Sequence, residues 1–68
     1  MGGHIIIRND TRDALIQPLV WASIPSLMQS ILRQIFYNPD GSLRDGSTWT
    51  AEEAFHVGAA SLWANCNL

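Results

Sequence analysis

Lysine is absent from this chain of 68 residues, and arginine occurs only as Arg8, Arg12, Arg33 and Arg44. Neutralising a phosphate backbone takes clustered cations, and the net charge here is −2. No nucleic-acid footprint is therefore expected. Cysteine occurs once, at Cys66, which excludes an intrachain disulfide. A lone thiol suits a reducing compartment, so the expected location is cytoplasmic. One Cys and two His cannot complete a tetrahedral zinc site within one chain. Neither a metal nor a cofactor is expected. The chain opens without a basic segment ahead of an apolar stretch, so no secretory signal is read. After Met1-Gly2, Ile6 stands where a myristoylation start wants Ser or Thr.

What is present is apolar. Hydrophobic residues make up 47% of the chain and charged residues 15%. The length allows one domain, residues 1–68. A domain this short buries only about 60% of its unfolded surface. Small domains usually add a disulfide, a metal or a second chain. With the first two excluded, the sequence favours a homodimer.

From Ala14 to Leu32 no residue is charged, a length close to that of a bilayer span. The polar residues within it are ordered, however. Ser23, Ser26 and Ser30 recur at helical spacing, and Arg33 and Tyr37 continue the row. That is the polar stripe of an amphipathic helix. Two prolines and two glutamines weaken a membrane span further.

The expected fold class is mostly α: a short N-terminal strand or arm, a kinked helix and a second helix in an antiparallel hairpin. Residues 4–8, HIIIR, favour a strand because β-branched side chains fit a pleat and lose rotamer freedom in a helix. Residues 11–37 carry a helical apolar pattern. Val20, Ile24, Leu27, Ile31 and Ile35 form one row, and Trp21, Met28, Leu32 and Phe36 the next. Asp10 is a candidate cap for this segment. Pro18 and Pro25 either kink the helix or divide it. Asn38-Pro39-Asp40-Gly41 and Asp45-Gly46-Ser47 are turns, which makes residues 38–49 a loop with an extended piece near Ser42 to Arg44. Thr50-Ala51-Glu52-Glu53 is a capping box, and a helix is expected over residues 51–65. Its inward face is read as Phe55, Gly58, Ala59, Leu62 and Cys66. Ala54, Gly58 and Ala59 would let another helix approach closely.

A single strand cannot satisfy its own backbone. Pairing of Ile5, Ile6 and Ile7 with the same residues of a second copy would give a two-fold dimer. The alternative is an arm lying across the helices or against the loop near Leu43.

Gly2-Gly3-His4 could bind Cu(II) through a freed amine, two amides and the imidazole, but short matches of this kind are common. Glu53-x-x-His56 has the spacing of a di-iron helix, yet the chain's only other glutamate is Glu52. His56 and Cys66 would lie about 15 Å apart along one helix, too far to form a nucleophile–base pair. Asp40, Ser42 and Asp45 lack the spacing of a calcium loop. No enzyme activity is expected. Trp21, Trp49 and Trp63 are numerous for this length, and tryptophan is frequent at binding hot spots. Trp21, Met28, Trp49, Phe55 and Trp63 are the candidate partner-binding residues. Trp49 is read as the most exposed of the tryptophans, or as the outer half of a hydrophobic staple.

These features point to a non-enzymatic regulator or inhibitor whose partner is another protein. At the level of class the chain looks like the small accessory proteins that phages and other mobile elements use to disable host proteins. A second reading follows from element order. A strand followed by helices, over residues 4–37, resembles the ribbon-helix-helix family, which implies a dimeric DNA-binding regulator. The strand offers only Arg8 beside three isoleucines, whereas base readout wants polar side chains. A third is an amphipathic segment on a membrane surface, for which the basic fringe is missing. Neither nucleic acid nor membrane is the favoured partner.

Overall fold

Two prolines decide how the first half of the chain is divided. In the computed structural model, which describes residues 9–67, Gln17 and Ile24 are both extended (φ −62°, ψ 139° and φ −80°, ψ 132°). Each precedes a proline, whose ring disfavours the helical region for the residue before it. The segment is therefore broken rather than kinked. It forms α1 (Asn9–Leu15), α2 (Pro18–Ser23) and α3 (Ser26–Phe36). Pro18 opens α2, where its missing N–H costs nothing, and Pro25 immediately precedes α3. At the end of α2, Ile24 N donates to Trp21 O at 3.1 Å, and side chains add to the carbonyls there. Gln29 Nε2 donates to Trp21 O at 2.8 Å, and Trp63 Nε1 donates to Ser23 O at 3.2 Å.

The last helix, α4 (Ala51–Asn67), starts at the expected capping box. Glu53 N donates to the Thr50 hydroxyl at 3.1 Å, and Thr50 N donates to the Glu53 carboxylate at 2.9 Å. Thr50→Ala removes one half of this exchange. It is expected to cost about 1 kcal/mol of unfolding free energy, measured by urea titration.

Between α3 and α4 the chain turns back on itself. Gly41 N donates to Asn38 O at 2.9 Å, and Asn38 N to Ser42 O at 2.8 Å. Pro39 fits the first central position of the turn, and Gly41 takes a left-handed φ of +91° that a side chain would strain. Tyr37 and Leu43 form an isolated antiparallel bridge, the brief extended piece expected near Ser42 to Arg44. A single 3-10 turn, Gly46–Thr48, leads to Trp49. Among the described residues there are four α-helices and no strand beyond this bridge. The expected strand at His4 to Arg8, with the pairing of Ile5, Ile6 and Ile7, lies outside the described residues, as does Gly2-Gly3-His4.

The core joins all four helices. Leu15, Ile24, Leu32, Ile35 and Phe36 meet Val57, Ala60 and Ala64 of α4, which touches α1, α2 and α3. Two details differ from the sequence expectation. Leu27 is 76% exposed, because the break at Ile24 and Pro25 resets the helical phase before the row reaches it. The inward face of α4 is Val57, Ala60 and Ala64, while Phe55, Ala59, Leu62 and Cys66 point outward. Apolar residues occur on both sides of this helix, so periodicity alone does not choose between them. Glu53 lies in one row with Val57, Ala60 and Ala64 and is held by Arg44 of the loop.

Candidate functional site

The polar side chains of the loop are spent on holding the fold. Arg44 donates to both carboxylate oxygens of Glu53, at 2.9 and 3.2 Å, and to Thr48 O at 3.0 Å. Arg12, only 9% exposed, donates to Arg44 O at 2.6 Å and to Asp13 through two nitrogens. Asn9 Oδ1 accepts from Gly46 N at 2.6 Å, which ties α1 to the 3-10 turn. A Cβ at Gly46 would sit 3.0 Å from that same oxygen and 3.3 Å from the Trp49 ring, so a side chain there would press on both. Asn9 thus stitches the loop from within α1, and α1 already includes Asp10, the residue expected to cap it.

Three carboxylates are held below their ordinary values by these bonds. The Arg44 guanidinium, and then the Thr50 N–H, lower Glu53 from 4.5. The Ser42 hydroxyl and N–H lower Asp40 from 3.8, and the Ser47 N–H with the Asn9 amide lower Asp45. A carboxylate depressed in the folded state stabilises it above the unfolded pKa and loses that contribution as pH falls through the folded one. Stability is therefore expected to hold above about pH 4.5 and to decline below it. Urea midpoints taken across this range check it, and Glu53→Gln should make the decline shallower.

With Glu53 engaged by Arg44 and Thr50, the Glu53-x-x-His56 spacing is a helix start, with His56 packed edge-on to Phe55 at 6.1 Å between ring centroids. Among the described residues, no group of three or more His, Cys, Asp or Glu could hold a metal. No helix among them is long and apolar enough to cross a membrane.

The five candidate partner-binding residues separate into two sets. Trp21, Met28, Trp49 and Trp63 are half-buried and pack against the core. Phe36 lies between two of them, with ring centroids 6.4 Å from Trp21 and 6.0 Å from Trp49. Trp49 Nε1 is enclosed and has no hydrogen-bond partner among the described residues. Phe55 alone stands clear, 72% exposed on the outer face of α4. Leu62, two turns further on, is 67% exposed on the same face, with Ala59 between them and Ala51 and Cys66 at the ends. Leu62 was not singled out by composition, though its spacing from Phe55 is the two-turn repeat of a helix seam. Leu19 on α2 is also open, at 85%.

A shallow depression of about 530 Å³ is lined by Arg33, Gln34, Tyr37, Asn38, Pro39 and Arg44. Its two cations are already engaged. Arg44 holds Glu53, and Arg33 stacks 5.6 Å above the Trp21 ring. The outer face of α4 is thus the better candidate surface, and its chemistry is contact rather than catalysis. No protein-family model, no curated protein and no solved structure significantly matches this chain.

Proposed function

We propose that this protein is a non-enzymatic regulator or inhibitor that acts in the cytoplasm by binding another protein. In this reading it works as a two-fold dimer, and α3 and α4 form the antiparallel hairpin of each copy. The observation that carries the proposal is the outer face of α4. Phe55 and Leu62 are exposed on the side of the helix opposite Val57, Ala60 and Ala64, so they add nothing to the core they back onto. Aligned apolar side chains on one face mark contact surfaces more reliably than scattered ones. The cations support protein over nucleic acid as the partner. Arg12 and Arg44 serve the fold, which leaves Arg33, among the described residues, as the guanidinium without a carboxylate.

The test is retention of a stoichiometric partner from a lysate of the source cells by the tagged full chain. Two double variants accompany it, Phe55→Glu/Leu62→Glu and Leu19→Glu/Leu27→Glu. The expected result is a partner lost with at least one of them. A chain that retains nothing specific, or whose partner is indifferent to both variants, defeats the reading.

A further inference from the structure

We propose that the outer face of α4 pairs antiparallel with the same face of a second copy. The proposal deepens the binding reading, and rests on it only in taking this face to be an interface.

The face is self-complementary about its own midpoint. Its large side chains, Phe55 and Leu62, flank two small residues, Gly58 and Ala59. Turning a second copy about a two-fold axis between Gly58 and Ala59 sets Phe55 against Leu62 of the second copy. It sets Gly58 against Ala59, and Ala51 against Cys66. Each bulky residue then meets a bulky residue across the axis, and the small pair at the centre lets the backbones approach. Such an interface is isologous and closes at two copies.

Charge selects the direction. α4 carries Glu52 and Glu53 at its start and no lysine or arginine anywhere along it. A parallel pair would bring Glu52 against Glu52, an unfavourable juxtaposition of like charges. The antiparallel pair brings Glu52 against Asn65, an exposed amide able to donate to it. The contact is also narrow. A helix of 17 residues is about 25 Å long, and one such pair falls in the weak class of interfaces below about 1,200 Å². The dimer is therefore concentration-dependent, and it leaves Leu19 and Leu27, on other helices, open to a different protein.

Sedimentation equilibrium of the full chain, from low micromolar to near-millimolar concentration, reads the association. The expected mass rises toward twice the 7.5 kDa of one chain. Leu62→Glu, and separately Phe55→Ser, should hold the mass at one chain with unchanged helical circular dichroism. Register is read by oxidation with diamide. Ala51→Cys, with Cys66 retained, should give a disulfide-linked dimer. The unsubstituted chain should give none, because the two Cys66 residues of an antiparallel pair lie about 22 Å apart along the helix axes, well beyond disulfide reach. A monomer at every concentration overturns the proposal. So does a dimer that survives Leu62→Glu, or a ready Cys66–Cys66 cross-link. A monomer that still retains a partner through Phe55 and Leu62 defeats this pairing while the binding reading stands. A dimer of this register that retains no other protein has the opposite consequence.

Discussion

Phe36→Ala is expected to cost about 3–5 kcal/mol of unfolding free energy. Phe36 is fully buried at the end of α3, between Trp21 and Trp49, and it is the largest of the fully enclosed side chains. Truncation removes its own transfer free energy and leaves a cavity that two tryptophans, each fixed by its own helix or loop, cannot fill without moving. A chain of this length has a total stability of roughly 3–10 kcal/mol, so the loss is most or all of it. Circular dichroism and urea titration read the effect. A loss under about 1 kcal/mol would show that the three aromatic residues do not form one packed unit. Phe36→Leu, which keeps most of the volume, should retain the fold.

Arg12→Met is expected to cost about 2 kcal/mol, through hydrogen bonds rather than volume. The methionine keeps an apolar stem of similar length and removes the guanidinium. What is lost is the donor to Arg44 O at 2.6 Å, together with the contacts to Asp13. The Arg44 carbonyl then has to find water at a site that Arg12 now fills, and the loop loses its tie to α1. Faster amide exchange at Gly46, whose N–H is held by Asn9 beside Arg12, is the local signature. Arg12→Lys should restore little, because one ammonium cannot reproduce the planar fork. Unchanged stability and exchange in Arg12→Met would remove this cluster from the forces that fix the loop.

What could be read in the sequence was local. The capping box at Thr50 involves four successive residues, and both of its hydrogen bonds are present. The Asn38 to Gly41 turn is equally local, since proline and a left-handed glycine fix most of its backbone. The breaks at Pro18 and Pro25 were half legible. A proline announces a disturbance, but whether the helix kinks or stops depends on what can take up the freed carbonyls. At the Pro25 break Gln29 and Trp63 do so.

What could not be read was long-range. Asn9 reaching Gly46, and Arg12 reaching the carbonyl of Arg44, join residues that no local pattern connects. The rotation of α4 belongs to the same kind. Phe55, Ala59, Leu62 and Cys66 form as good an apolar row as Val57, Ala60 and Ala64, and the long-range ties of α4, Glu53 to Arg44 and Trp63 to Ser23 O, accompany the row that meets the core. Residue type did not separate the aromatic residues either. The three tryptophans pack on the core and Phe55 does not, because the rotation of α2 and α4 and the path of the loop at Trp49 set these positions rather than hydrophobicity.

The central claim is that Phe55 and Leu62 serve contact with another chain and not the fold. Urea unfolding of Phe55→Ser/Leu62→Ser, beside the unsubstituted chain and at low micromolar concentration where association is negligible, tests it most directly. The account predicts unfolding free energies within about 0.5 kcal/mol of each other, because both side chains are already in water. A loss of about 2 kcal/mol or more in dilute solution would contradict it, since that is the cost of truncating residues that belong to a core.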